Sequence, residues 1–342
     1  MASPSEVAAM RRALELARTP GVPPTPNPRV GCVLLSADGA VVGEGFGRGA
    51  GHRHAEVDAL LDAGERARGA TAVVTLEPCN HTGRTGPCSG ALVAAGVARV
   101  VFAQADLNSA ASGGAQAMRE AGVDVEGGVL ADEARAVNPE FSLSLELHRP
   151  YVTWKLAATL DGRTAAADGT SRWITGPQAR RDVHRLRALH DVVLVGTGTV
   201  RADDPALTVR DEEDRPVPRR FQPLRAVRGL ADPPPRARVL DDTAPTLFLR
   251  TRDPAEALRR VFAANRQFVW LEGGATLAAA FVSAGLVDRV VAYVAPALLG
   301  EGAAAVAPIG IATITDAVRL DLADVARVGD DVRITATVRR KG

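Results

Sequence analysis

His54-Ala55-Glu56, then Pro78-Cys79 and Cys88, constrain the fold more than any other feature, because one imidazole and two thiolates from three stretches must meet at one metal ion. Zinc with three protein ligands keeps a fourth tetrahedral position for water, which loses its proton near neutral pH, so the set is expected to be catalytic. Glu56 supports that reading. A carboxylate outside the ligand set can carry a proton to a ring nitrogen and to a departing ammonia, whereas a closed zinc knot has no use for it. The order H-x-E, then P-C and a second cysteine, is that of the zinc deaminases and points to hydrolytic deamination of an amino-pyrimidine. The competing reading is a structural site closed by His52 or His81 as fourth ligand.

Eight residues, Asn80 to Pro87, separate Cys79 from Cys88. They are too many for one helical turn and rich in turn formers, so they are expected to form a loop over the pocket. Cys88 is expected to open a helix ending at Gly96, where the helix N-terminus should lower its thiol pKa. On a regular helix His54 and Glu56 would point about 200° apart, so His54 is expected at the helix entry, before regular geometry begins.

A length of 342 residues suggests two domains. Net charge is +1 and aromatics make up 4%, so neither a basic surface nor stacking platforms announce a nucleic-acid binder. That speaks against a tRNA or DNA deaminase. Cys32, the third cysteine, sits in an apolar stretch and is expected to be a core residue of a cytoplasmic protein. The N-terminal residues show no basic segment leading into an apolar core, and the most apolar stretch, 290–312, is broken by Pro296, Glu301 and Pro308, so no signal peptide or membrane span is expected. Lys155 and Lys341 are the two lysines among 41 basic residues, which makes an internal lysine the more informative cation.

Helical and strand patterns alternate along the chain. Ser3, Pro4 and Glu6 start a first helix ending near Thr19, and a Pro-rich loop, 21–28, leads to strands at 30–35 and 41–44. Helix 54–63, strand 71–76, helix 88–95, strand 99–104, helix 113–121 and a strand near 123–125 complete a layered α/β domain. Arg149-Pro150 marks a boundary between domains 1–147 and 148–342. The second series has strands at 151–158, 191–195, 246–250, 267–271, 289–294 and 331–339, with helices 177–190 and 276–284. Residues 211–245 read as loop. Gly196-Thr197-Gly198-Thr199 is a weak phosphate-turn cue, and Glu272-Gly273-Gly274 before a helix offers free amides for a phosphate; a plain turn reads the same in both cases.

Four runs together carry a resemblance: Thr25-Pro26-Asn27-Pro28-Arg29-Val30-Gly31-Cys32, His54-Ala55-Glu56-Val57, the stretch from Thr75-Leu76-Glu77-Pro78-Cys79 through Cys88, and Trp173-Ile174-Thr175. They resemble the bifunctional deaminase–reductases of riboflavin biosynthesis over nearly the whole chain. The resemblance implies a cytidine deaminase-like three-layer α/β/α domain followed by a dihydrofolate reductase-like α/β domain. It implies deamination of 2,5-diamino-6-(5-phosphoribosylamino)pyrimidin-4(3H)-one, then NADPH-dependent reduction of the ribosyl chain to ribityl. One zinc ion falls to His54, Cys79 and Cys88, and proton transfer to Glu56. Asn27, His81, Arg84, Asp106 and Asn108 fall where the family contacts the substrate of the first step.

In the second domain the resemblance lays NADPH along Ala158, Trp173, Thr199, Asp203 and Gly229 and along Gly274, Ala275, Thr276, Leu277, Ala278, Ala279 and Ala280. It lays substrate against Lys155, Ser171, Arg187, Leu207, Arg210 and Glu272, with Arg187 and Arg210 on phosphate, Glu272 on the ribose, and Lys155 as an electrostatic aid or a salt-bridge partner. A homo-oligomer is expected, with a pyrimidine ribotide as its small-molecule partner. Two positions depart from the family: Leu107 replaces a frequent proline, and Arg228, in Arg225-Ala226-Val227-Arg228-Gly229, replaces an acid. Arg228 suits the 2′-phosphate of NADPH or marks a relaxed cofactor site. A deaminase fused to a non-catalytic nucleotide-binding or assembly domain is the alternative, which NADPH titration separates.

Overall fold

A reciprocal capping box starts the chain: Ser3 Oγ accepts the Glu6 amide at 3.3 Å and Glu6 Oε2 accepts the Ser3 amide at 2.7 Å, with Pro4 at the first helical position. The structure, a computed structural model, describes residues 1–20, 27–49, 51–81, 86–107 and 112–340. Most of the Pro-rich run 21–28 and the centre of the 80–87 loop lie outside the described residues. The chain divides into two compact units, Met1–Leu147 and His148–Gly342.

In the first unit the order is α1 (Pro4–Ala17), β1 (Gly31–Leu35), β2 (Val41–Phe46), α2 (Ala55–Ala63), β3 (Thr71–Leu76), α3 (Cys88–Ala94), β4 (Arg99–Gln104), α4 (Gly114–Glu120), β5 (Asp124–Gly127), α5 (Ala131–Arg135) and α6 (Pro139–Glu146). The sheet runs β2-β1-β3-β4-β5, with β1 antiparallel to its neighbours and β3, β4 and β5 parallel. Alternate residues of each strand face opposite layers. Cys32, Leu34, Ala72 and Val74 pack with Ala55, Ala59, Leu92 and Met118 of α2, α3 and α4. Val33, Leu35, Val73 and Val101 pack with Met10, Ala13 and Leu14 of α1 and Ala134 of α5. A Cβ on Gly45 of β2 would stand 2.2 Å from the Ala55 carbonyl oxygen. Glycine therefore lets the start of α2, which carries His54 and Glu56, lie directly on the sheet.

In the second unit the order is β6 (Tyr151–Thr159), α7 (Pro177–Arg187), β7 (Val192–Gly196), α8 (Thr197–Asp203), β8 (Leu224–Arg228), β9 (Thr246–Leu249), α9 (Pro254–Ala263), β10 (Phe268–Leu271), α10 (Ala275–Ser283), β11 (Arg289–Ala295), β12 (Leu320–Val328) and β13 (Asp331–Val338). The sheet runs β12-β13-β11-β6-β10-β7-β8-β9. The strands from β11 to β9 are parallel, and β13 and β12 add an antiparallel edge. One face packs on α9 and α10 through Leu258, Val261, Ala278 and Phe281, the other on α7 and α8 through Val183 and Val200. Parallel strands end together, so the loops that follow β6, β10, β7 and β8 gather along one edge, the usual place for a ligand in such a sheet.

Several elements differ from expectation. The 211–245 stretch contains β8, whose apolar signal is interrupted by Arg225. That side chain is fully buried, giving Nη2 to the Asp241 carbonyl at 2.6 Å and Nε to Thr246 Oγ1 at 2.9 Å. The Gly196–Thr199 turn continues as α8 despite the glycine at 198. β12 is an edge strand exposed along most of its length, so it lacks an apolar alternation to read. Helices α5, α6 and α9 are further additions, and α7 stops at Arg187, short of 190.

Candidate functional site

His54 is the residue before α2, with extended backbone (φ −76°, ψ 162°), as its two-residue distance from Glu56 requires. Cys79 follows the end of β3 and Cys88 is the first residue of α3. His54 Nδ1 stands 3.2 Å from Cys88 Sγ and 3.6 Å from Cys79 Sγ, and all three ligand atoms lie within 4.8 Å of one another. Tetrahedral zinc with these donors asks for separations of about 3.5 Å, so the donor set fits the metal. Neither His52 nor His81 belongs to the cluster, which among the described residues has no fourth protein ligand. That geometry speaks for the open site over the closed one.

Glu56, 4% exposed, is outside the ligand set. Burial raises its carboxyl above the ordinary value, which makes it a better proton carrier. The two cysteines correct the expectation about thiol acidity. The Cys88 amide, at the helix start, donates to Cys79 Sγ at 3.5 Å. Hydrogen bonding from the Cys88 thiol, from His54 and from that amide lowers Cys79, while the same bond to Cys79 and burial raise Cys88. The helix terminus thus serves the neighbouring sulfur.

Glu77 is a residue whose task the sequence reading missed. Buried between β3 and Cys79, it accepts the Ala115 amide at 3.0 Å and the Asp106 amide at 3.2 Å, tying the Cys79 corner to α4 and to the segment after β4. Its signal was a carboxylate directly after an apolar strand and before the Pro-Cys pair. Asn27 and Asp106 are partly buried and His81 is exposed. Asn138 pins the segment next to Asn27 by exchanging hydrogen bonds with the Arg29 backbone at 2.8 Å. Arg84 and Asn108 lie outside the described residues.

The second unit holds a cavity of about 550 Å³ that brings together Lys155, Trp173, Arg187, Arg210 and Glu272. Thr175, Arg180, Arg181 and His184 also line it, unforeseen because each reads as an ordinary polar position near or on α7. Glu272 accepts Arg187 Nη2 at 2.7 Å and Nε at 3.0 Å. Burial works to raise this carboxyl, but the charges of Arg187 and Lys155 prevail and hold it at about 2. Arg187 gives Nη1 to the Thr208 carbonyl at 2.5 Å, so the guanidinium expected on phosphate is held between Glu272 and Thr208 at the cavity wall. Arg210 keeps one side on the cavity and pairs with Asp214 at 3.5 Å. Lys155 forms no ion pair among the described residues, and burial lowers its pKa against the pull of Glu272. Burial, with the Arg187 charge, brings His184 down to about 4. Two expected substrate residues stand apart. Ser171 is exposed outside the cavity lining, and Leu207 turns its side chain into the core, which leaves only its backbone for a ligand.

Beside the cavity, the expected cofactor residues follow the strand order: Ala158 in β6, Gly274 after β10, Thr199 after β7 and Gly229 after β8. Gly229 has φ +149°, and a Cβ there would stand 2.4 Å from Thr197 Oγ1. Trp173 is exposed, with the Arg180 guanidinium 4.5 Å from its ring centre. Arg172 of the same loop donates to the Asp203 carbonyl at 2.7 Å. The expected run from Gly274 to Ala280 narrows. Leu277 and Ala278 return their amides to the Gly274 carbonyl at 3.0 and 3.3 Å, and Leu277, Ala278 and Ala279 are buried. Ala280 lies a further turn into the helix. Gly274 and the amides of Ala275 and Thr276 remain as the donors for an anion.

Residues 4–104 match the family model described as the cytidine and deoxycytidylate deaminase zinc-binding region, and residues 150–334 match that of the RibD C-terminal domain. The riboflavin biosynthesis protein RibD of Mycobacterium tuberculosis is 49% identical over 319 residues, 92% of each chain. Its counterpart in Escherichia coli is 42% identical over 355 residues, covering 94% of this chain and 96% of that one. The structure of Acinetobacter baumannii RibD agrees with a TM-score of 0.83 at 38% identity, covering 98% of this chain and 99% of that one.

Proposed function

The chain belongs to the RibD family, which joins a deaminase to a reductase for riboflavin biosynthesis, and from that membership we propose which reaction each of its sites performs. It is a bifunctional enzyme with a cytidine deaminase-like domain followed by a reductase domain of dihydrofolate reductase-like fold. The first site takes the diaminopyrimidine ribotide and releases ammonia. The second reduces the ribosyl chain of the product to ribityl with NADPH.

The observation that carries the first assignment is the buried Glu56 beside a His-Cys-Cys cluster without a fourth protein ligand. His54, Cys79 and Cys88 hold one zinc ion. When bound, zinc supplies the Lewis acidity that makes water nucleophilic near neutral pH. Glu56 is placed to accept a proton from the attacking water and pass it to the ring nitrogen, and then to carry the remaining hydroxyl proton to the leaving amine; its raised pKa suits the return of each proton. Glu77 fixes the Cys79 corner. Asn27, His81, Arg84, Asp106 and Asn108 have the donors and acceptors to hold base, ribose and phosphate.

The second assignment rests on the cavity of Lys155, Arg210 and Glu272 beside the row of turns. NADPH supplies the hydride. The amides of Ala275 and Thr276 and the space over Gly229 suit a dinucleotide's phosphates, and Trp173 offers a flat face near the cavity. Glu272, held ionised by Arg187, accepts the ribose hydroxyls; Arg210 meets the phosphate; Lys155 stabilises negative charge as the sugar ring opens.

The described residues contain no helix long and apolar enough to cross a membrane. Work in the cytoplasm and self-association belong to the same proposal, the latter supported by the exposed β12 edge with Leu320, Leu322 and Val325. The test follows ammonia and NADPH separately with the diaminopyrimidine ribotide. Ammonia is released without NADPH, and NADPH is consumed only once deaminated product has formed; NADPH consumption that precedes ammonia release overturns the assigned order.

A further inference from the structure

Arg228 ends β8 where the row of turns reaches Gly229, and neither reaction described above uses it. Its Nε is fully buried and has no hydrogen-bond partner. Nor does the side chain form an ion pair among the described residues. The carboxylate it feels is that of Asp253, which is engaged elsewhere: Oδ1 caps α9 by accepting the Ala255 amide at 2.9 Å, and Oδ2 stands 3.9 Å from Arg259. The Arg228 guanidinium instead lies 5.7 Å from the centre of the Phe281 ring. Two other arginines of this end are already committed, since Arg250 pairs with the Asp232 carboxylate and Arg201 donates to the Asp232 carbonyl at 3.2 Å. A guanidinium has five donors in a fixed fork, and one held half-buried over an aromatic ring without acceptors is a receptor for an oxyanion.

The strand order says which oxyanion. Ala158 near the end of β6 and Gly274, Thr199 and Gly229 after β10, β7 and β8 mark four adjacent strands, about 4.8 Å apart, so the row spans ~14 Å. With the nicotinamide beside the substrate cavity at the β6 end and the pyrophosphate on the amides after β10 in the middle, the adenosine reaches Gly229. The Cβ excluded there by Thr197 keeps the edge open beside Arg228.

We infer that Arg228 recognises the 2′-phosphate of the adenosine ribose and makes this chain prefer NADPH to NADH. The inference rests on the reading of the second unit as a dinucleotide-dependent reductase. Its test is equilibrium binding rather than turnover: the full chain, loaded with zinc and without substrate, is titrated with NADPH and with NADH by calorimetry. The wild type binds NADPH the more tightly. Arg228→Met, which keeps the stem over Phe281, weakens NADPH binding about 10- to 100-fold, the range of one charge-assisted pair with phosphate, and leaves NADH binding unchanged. Arg228→Lys recovers part of the loss. An unchanged NADPH-to-NADH ratio in a folded Arg228→Met protein, or equal wild-type affinities, overturns the inference and spares the reductase reading. Failure of the wild type to bind either cofactor overturns both. Should Arg228→Met melt early, Arg228→Lys with a native melting temperature gives the decision by the same ratio.

Discussion

Replacing Arg187 by Met should cost the second unit about 3 kcal/mol of stability at neutral pH, and the cost should shrink in acid. Both partners of the Arg187–Glu272 pair are largely buried, with side chains 9% and 15% exposed. Breaking a buried pair from one side leaves an uncompensated charge, at about 3–5 kcal/mol. The acidity of Glu272 gives a similar figure. Its lowering from the ordinary 4.5 to about 2, to which Lys155 and Trp270 also contribute, corresponds to about 3 kcal/mol at ~1.36 kcal/mol per tenfold change in proton affinity. Because the folded-state pKa is depressed, this stability is complete above the unfolded value and is lost as pH falls through the folded one. By the same relation the contribution drops to roughly 2–3 kcal/mol at pH 4 and roughly 1 kcal/mol at pH 3. Urea unfolding of wild type and Arg187→Met at pH 7, 5, 4 and 3 measures the difference between them. A difference under about 1 kcal/mol at pH 7, or one that does not fall below pH 4.5, would refute the reasoning.

Three other outcomes are expected. Arg225→Leu strands the carbonyls that now accept its guanidinium, so urea unfolding should register a loss of about 3 kcal/mol. Gly45→Ala forces a Cβ against the Ala55 carbonyl, displacing the start of α2; zinc content measured by metal analysis should fall together with ammonia release, while NADPH binding persists. Dialysis against a chelator should abolish ammonia release but leave the reduction of supplied deaminated ribotide intact.

Most of the first site was legible because its chemistry lies in short runs: His54 must leave the helix to converge with the cysteines, and the Gly96 stop and the 71–76 and 99–104 strands follow local rules. What the sequence hid depends on contacts across the fold. The Cys88 amide belongs to Cys79, which no spacing announces. The resemblance lays Arg187 on phosphate, yet its donors here go to Glu272, 85 residues away, and to the Thr208 carbonyl, contacts that no local run announces. Leu277 to Ala280 looked like one cofactor stretch, but only the first turn of a helix has free amides. β8 was obscured by the buried Arg225, and α8 by the glycine inside it, since tertiary packing overrides both local signals.

The most direct test of the account is Glu56→Gln, with zinc content and ammonia release measured on the same preparation. Glutamine keeps the size of the side chain and removes its proton exchange, and Glu56 is outside the ligand cluster. The account predicts about one zinc per chain, as in the wild type, with ammonia release lost by at least about 100-fold, the lower range for a general acid–base. NADPH oxidation on supplied deaminated ribotide should be unchanged. Ammonia release near the wild-type rate, or loss of zinc along with activity, would contradict it.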